Sequence, residues 1–344
     1  MNETVNPPAI AAKSPEFIVL ALLSCISGVI AIGGNAIVLI AIYRTKTLHS
    51  ISNFFIASLA SADLVVGILL NPLLAYKALI FSYLHPERPI KGSVFDKVED
   101  FAWIQAVVAT TFGLTAISVD RYIAVNFGFR YEELSSLKHC LIATASVWIS
   151  SLVFASVRLF TDEPQHLSIL WLVMGVITCI LPFIIITFCY LRIFKAVRQQ
   201  VQKILHENSV ATAAVPSAWR GKNTHSQVNH RKTAITVAIV ILLFIVLWVP
   251  SLVTAAIQLG LSSSKNPKDQ ETLTKLEREV WMWVSLLAYF SSASNPWVYS
   301  IRCRQFRAAF KRIFNCSNTL RPRNADTVMN IHFRSFQESH NDNQ

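Results

Sequence analysis

An all-α bundle of seven membrane-spanning helices is the fold class the sequence predicts. Three observations carry it: seven apolar runs of spanning length, a balance of 53% hydrophobic against 15% charged residues, and basic residues crowded into alternate connections. That balance is too apolar for a water-exposed surface. A helix needs about 20 mostly apolar residues to cross the hydrocarbon, and the runs lie at about 17–43, 53–80, 98–125, 139–159, 168–194, 232–260 and 280–301. They are continuous rather than alternating, which excludes the strands of a transmembrane β-barrel.

The net charge of +11 invites a nucleic-acid reading until it is divided by topology. With the N-terminus outside, segments 44–51, 121–139 together with Asp120, 192–232 and 302–344 hold 21 Lys and Arg against 7 Asp and Glu. The outer segments hold 10 and 12, and one acid, Asp63, lies within a span. Basic residues on the cytoplasmic side set orientation, so the charge predicts a multi-pass plasma-membrane protein and no nucleic-acid partner.

Residues 1–16 form the outer N-terminus. They lack a basic region followed by an apolar core, so no cleavable signal is expected and the first span directs its own insertion. Asn2-Glu3-Thr4 is a glycosylation sequon on the outer side. Residues 17–301 form the bundle, and its polar residues need reasons, because an apolar helix spans a bilayer without them.

Span 1 carries Asn35 and span 2 carries Asp63, within LASADLVVG. A carboxylate at mid-membrane costs about 2.5–3.5 kcal/mol, which points to a role inside the bundle. Thr110 in span 3 and Ser291, Ser292 and Asn295 in span 7 are candidate partners. Together they could form an oxygen-rich pocket for sodium, a site where Asp63 is protonated, or a hydrogen-bond network without an ion.

Span 3 opens with Asp96, Glu99 and Asp100, a turn that could bind calcium through Asp96 and Asp100, hold a cationic peptide side chain, pair with Lys97, or stand as a solvated face. It closes on Asp120-Arg121-Tyr122, where an adjacent carboxylate can hold the guanidinium until a competing partner arrives. Pro182, Pro250 and Pro296 each remove a backbone hydrogen bond from a late span and allow a kink.

Beyond the bundle, residues 302–318 contain an amphipathic helix with Phe306, Ala309, Phe310 and Ile313 on one face and Arg307, Lys311 and Arg312 on the other. It should lie along the inner membrane surface against anionic lipid. Cys316 at its end is a palmitoylation candidate or a free thiol. The tail 319–344 is expected to be disordered, and the connections 86–97 and 200–230 to be mobile. None of the six cysteines lies in an outer segment, so no outer disulfide is expected.

In order along the chain, GGNAIVL around Asn35, LASADLVVG around Asp63, Asp120-Arg121-Tyr122, Trp148, Pro182 with Tyr190, Phe244 with Trp248 and Pro250, and Asn295-Pro296-Trp297-Val298-Tyr299 resemble the rhodopsin-like G-protein-coupled receptors. The resemblance runs from Asn35 to Phe306. It implies a two-state bundle whose helix 6 swings outward when an extracellular ligand binds. Arg121, Tyr190 and Tyr299 would open a cavity for a heterotrimeric G protein, Phe244 and Trp248 would switch beneath the ligand, and Asp63 would hold an ion that is lost on activation. Arrestin and a receptor kinase are further implied partners, and no cofactor is required beyond sodium or calcium.

Three departures qualify the pattern. The usual cysteine at the outer end of helix 3 is Asp96, so the common disulfide is absent. The acid that often meets the arginine from the foot of helix 6 is replaced by His230, Arg231 and Lys232, which predicts basal signalling. Trp103 stands where amine receptors carry an aspartate, so a biogenic amine lacks its counter-ion. Trp103, Trp248 and Tyr289 with Asp96, Glu99 and Asp100 are then the ligand-binding candidates. Asp96 and Asp100 are similar to the acidic pair of melanocortin receptors, whereas VDRYIAVNFGFRYEEL and NPWVYSIRCRQFRAAFKRIF are similar to adenosine receptors.

Rival classes are weaker. A transporter tends to show internal repeats and broken helices, neither of which is evident, and a receptor-shaped binder without signalling is hard to square with an intact Arg121, Tyr190 and Tyr299. No metal spacing or nucleophile motif supports an enzyme.

Overall fold

The computed structural model describes residues 15–83, 94–161, 170–171, 173–210, 217–262, 264 and 266–316. The sequon at Asn2, most of the 86–97 connection and the tail from 319 fall outside these residues, as does the Cys316 side chain.

Among the described residues, seven long helices and a shorter one after them are numbered in order, with short helical turns in the connections. Helix α1 is Pro15–Arg44. Helix α2 consists of Ile51–Val65 and Asn71–Tyr83 joined by a π turn over Val66–Leu70. Then come α3, Val94–Asn126, and α4, Leu137–Val157. Helix α5 is Leu181–Val210 behind a π turn at Val176–Ile180, and α6 is Ser217–Ser262. Helix α7 is Trp281–Arg302, and α8 is Arg304–Cys316.

Local chemistry sets the boundaries. Ser50 caps α2 by accepting the Asn53 N–H at 3.4 Å, and Ser136 caps α4 by accepting that of His139 at 3.3 Å. Each satisfies a donor that the first turn leaves orphaned. The π turn of α2 is held by Asn71, whose amide donates to the Val66 carbonyl at 3.3 Å while Ser24 of α1 donates to the Asn71 carbonyl at 2.8 Å.

Among the described residues, six helices meet spanning length and hydropathy together, and α7 does not. Its 22 residues span about 33 Å at 1.5 Å per residue. What lowers its hydropathy is Ser285, Ser291, Ser292, Ser294 and Asn295, most of them buried between helices rather than facing lipid. Exposed leucine, isoleucine and valine on α1, α4, α5 and α6, such as Val29, Ile149 and Leu242, would be untenable in water and are the lipid-facing surface.

Helix α3 is the axis of the bundle, packing against α2, α4, α5 and α6. Its buried residues run from Ala102 to Ala124. Helix α1 closes onto α2 and α7 through small residues. An added Cβ at Gly34 would come 2.7 Å from Cγ of Pro296, and one at Gly67 2.9 Å from Ile32.

The 200–230 stretch, expected to be a mobile connection, is largely helical instead. Helix α5 continues to Val210 and α6 begins at Ser217. The polar run after the membrane edge is rich in Arg, Gln, Lys and Glu, which prolong a helix as readily as they form a loop. The third outer connection is likewise helical over Pro267–Lys275, capped by Asn266, and runs through a π turn into α7.

Candidate functional site

At the inner end of α3, Asp120 is surrounded by donors. Its Oδ2 accepts from Arg121 Nε at 3.0 Å and from the Ser52 hydroxyl at 2.9 Å. Its Oδ1 accepts from the Tyr131 hydroxyl at 2.8 Å and from Ser135 at 3.1 Å. Asp120 and Arg121 are almost fully buried. A buried charged pair is sustained only when its remaining lone pairs are met, and four donors from α2, α3 and the following turn do so. Tyr131, on the short helical turn Tyr131–Leu134, lies outside the membrane span; burial, then the Asp120 carboxylate, holds its phenol above the ordinary value.

The other inner residues are placed differently. Tyr122 packs its ring on Phe127 and Phe188 rather than on Asp120. Tyr299 is buried and stacks on Phe306 of α8 at 5.7 Å, and Tyr190 is half-buried against the same inner core. Tyr190 and Tyr299 therefore share one apolar core, while Arg121 is held by its neighbour Asp120.

Mid-membrane, Asp63 Oδ2 accepts from the Asn295 amide at 2.8 Å. Asn35 donates to the carbonyls of Ala31 at 2.9 Å and Ser292 at 3.0 Å. Two acceptor oxygens, Asp63 Oδ1 and Asn35 Oδ1, are buried without a hydrogen-bond partner. Orphaned acceptors in a dry interior are costly, and carboxylate and amide oxygens are the ligand types that suit a hard cation. With a single carboxylate, and no group of three His, Cys, Asp or Glu among the described residues, the donor set fits a monovalent ion better than a divalent one. Thr110 and Ser292 are buried in the two helices that flank this position, and Ser291 turns instead to the Ala288 carbonyl at 2.6 Å.

Above it lies a chain of aromatic rings. Phe244 and Trp248 of α6 have centroids 5.3 Å apart, Trp248 and Trp103 of α3 are 5.9 Å apart, and Trp103 meets Trp171 edge-on at 5.6 Å. Trp248 donates its indole N–H to the Ser291 hydroxyl at 3.2 Å, tying α6 to α7 two residues before Pro250. Tyr289 is buried beside this cluster.

In the acidic turn of α3 two of the carboxylates are engaged by basic side chains. Glu99 pairs with Lys77 of α2 at 2.9 Å, and Asp100 pairs with Arg158, beyond the end of α4, at 2.7 Å. Asp100 thus turns to a guanidinium, and among the described residues no acidic group is assembled around Asp96 and Asp100 that could hold a metal. Lys77 and Arg158 were not singled out from the sequence, nor were Ser52, Tyr131, Ser135 and Trp171. The described cysteines Cys25, Cys140, Cys189 and Cys303 are all free.

A membrane bundle with a held arginine at its inner end, a buried carboxylate at its centre and an aromatic cluster toward its outer end is the frame of a transmembrane receptor. Over residues 34–299 the chain matches the 7 transmembrane receptor (rhodopsin family), more than half of its length, and it belongs to that family. It is 29% identical to the histamine H2 receptor of Rattus norvegicus over 303 residues, covering 83% of this chain and 76% of that protein. Against the melatonin receptor type 1A of Gallus gallus it is 27% identical over 334 residues, 91% of this chain and 86% of that one. The human histamine H2 receptor is 28% identical over 323 residues, 89% and 81% of the two chains. The family consists of signalling receptors rather than enzymes, and the chain is a membrane-embedded receptor. None of these three relatives is named for melanocortin or adenosine, and they do not support the ligand classes that those resemblances suggested.

Proposed function

We propose that the chain is a plasma-membrane receptor, N-terminus outside, that converts binding of a small extracellular molecule into activation of a heterotrimeric G protein. The observation that carries this reading is the Asp120–Arg121 pair. A buried arginine held by one carboxylate, itself held by hydroxyls from α2 and the turn after α3, is a charge that can be released when the inner helix ends separate. Sodium at Asp63 and Asn35 would favour the held state. Arrestin, a receptor kinase, glycosylation at Asn2 and palmitoylation at Cys316 complete the reading.

The ligand is proposed to be compact, aromatic and not dependent on a cationic amine. Two matched relatives are named for small molecules, histamine and melatonin. In this chain the aromatic cluster of the outer half offers rings, while Glu99 and Asp100 are engaged by Lys77 and Arg158. Rings recognise rings through offset and edge contacts.

The test is nucleotide exchange on purified G proteins with receptor reconstituted in lipid, comparing wild type with Arg121→Ala, first without ligand and then with a panel of aromatic small molecules. Exchange that is present in wild type and lost in Arg121→Ala is expected. Well-folded receptor that never drives exchange on any G protein would move the chain to a non-signalling binder.

A further inference from the structure

Trp103 sets its indole in the middle of the outer half of the bundle, where it joins two separate parts of the core. On one side it packs with the cluster around Leu70, Leu74 and Tyr289, on the other with that around Ile104 and Ala155. Its ring lies 5.9 Å from Trp248 and 5.6 Å from Trp171. Beneath it Trp248 is fixed from two more directions, by Phe244 at 5.3 Å and by the Ser291 hydroxyl at 3.2 Å. Pro250, two residues on, deprives α6 of a backbone hydrogen bond, so α6 can bend close to the level of Trp248. In this same arrangement Arg121 remains on Asp120.

We propose that Trp103 is a built-in brake: its indole is a permanent occupant of the ligand cavity that wedges Trp248 against Ser291, and an activating ligand works by shifting the Trp103 ring. The inference rests on the receptor reading above and assigns it a mechanism of regulation. An indole is rigid and fills a large volume, so the space into which Trp248 could turn is taken. Removing the ring leaves a hole beside Trp248, and close-packed interiors close such holes only in part. Trp248 then gains freedom to leave Ser291, and the population shifts toward the released state. The hole has the shape of an indole, and apolar cavities left by truncation accept small apolar molecules.

The experiment uses full-length receptor in lipid nanodiscs as wild type, Trp103→Ala and Trp103→Phe, each with and without free indole. Ligand-free nucleotide exchange on an added G protein and the melting temperature are both read. Trp103→Ala should exchange faster than wild type, on the order of 3- to 10-fold for a modest shift between two states, with Trp103→Phe in between. Indole should raise the melting temperature of Trp103→Ala and bring its exchange back toward the wild-type rate, while leaving wild type unchanged on both counts. If Trp103→Ala folds only when expressed with indole, washing the indole out should release the fast exchange. Exchange at or below the wild-type rate, with no response to indole, would show the ring to be ordinary packing and overturn the brake. Should neither protein drive exchange on any G protein, the receptor reading fails and the brake with it. A melting temperature that still responds to indole then shows the cavity was filled, which separates the two failures.

Discussion

Asn295 of α7 donates its side-chain amide to Oδ2 of Asp63 on α2 at 2.8 Å, and the second carboxylate oxygen of Asp63 is buried with no hydrogen-bond partner. Half of this carboxylate is thus satisfied and half is open, in a site where Asn35 Oδ1 is likewise orphaned. A monovalent cation met by these oxygens would offset the cost of the buried charge. Ligands that bind only the folded state stabilise it by mass action. Replacing potassium by sodium at constant ionic strength should therefore raise the melting temperature of wild type and lower its basal nucleotide exchange, and Asp63→Asn should abolish both responses. Equal sodium sensitivity in the two proteins would place the ion elsewhere.

Much of this site was legible in the sequence because a polar residue stands out in an apolar span. Asn35, Asp63, Asn295 and the Asp120-Arg121 pair are conspicuous for that reason, and the structure brings Asp63 to Asn295 across 232 positions. Their partners were not legible. Ser52 is 68 residues from Asp120, and Tyr131 is 11 away in an ordinary-looking connection. Lys77 and Arg158 sit at span ends where a basic residue is unremarkable and simply snorkels. The helical extensions of α5 and α6 were misread for a related reason: charged helix formers look the same in sequence whether they continue a helix or leave it. The three-dimensional neighbours of an ionisable group decide its role, and a linear pattern shows only its location.

The contact between Gly34 and Pro296 is close enough to be tested by size alone. A Cβ at position 34 would stand 2.7 Å from Cγ of Pro296, and the proline ring within α7 has little room to move. Overpacking of this kind costs about 1–3 kcal/mol. Gly34→Val should lower the thermal stability of the purified receptor and its surface expression, whereas Gly33→Ala, with nothing within 4 Å of its added Cβ, should be nearly neutral. A comparison of melting temperatures checks it, and equal losses at both positions would contradict the packing argument.

Tyr131 offers a way to loosen the held arginine without touching it. Its hydroxyl donates to Asp120 at 2.8 Å, and removing a hydrogen bond to a charged group costs about 1.5–3 kcal/mol. Tyr131→Phe keeps the ring and deletes only the donor. The Asp120 cluster of the held state is weakened, so ligand-free exchange should rise by roughly 3- to 10-fold if about 1 kcal/mol is lost differentially from that state. Cells expressing equal surface amounts of the two receptors provide the measurement. Unchanged basal output in Tyr131→Phe would mean that Ser52 and Ser135 alone suffice to hold Asp120.

The outer end of α3 has no disulfide to anchor it, and the two ion pairs stand at that place. Arg158 is largely buried and its Nε donates to Asp100 at 2.7 Å, which ties α3 to the end of α4, while Glu99 and Lys77 tie α3 to α2. Of the two basic partners Arg158 is the more buried, its side chain 6% exposed against 24% for Lys77, whereas of the acids Asp100 at 32% is more exposed than Glu99 at 14%, so the ranking turns on which cation is stranded. Removing Asp100 strands the buried Arg158 guanidinium, although the partial exposure of the carboxylate keeps the cost below that of breaking a fully buried pair. Asp100→Asn should therefore destabilise the receptor more than Glu99→Gln does, and the reversed pair Asp100→Arg with Arg158→Asp should recover part of the loss. Reducing agent should leave wild-type stability unchanged, because the four described thiols are free. Calcium separates this account from a metal site at the same acids. If Asp96 and Asp100 held calcium, chelation would lower the melting temperature of wild type and not of Asp100→Asn. If Asp100 instead serves Arg158, chelation changes neither protein, and the reversed pair alone restores stability.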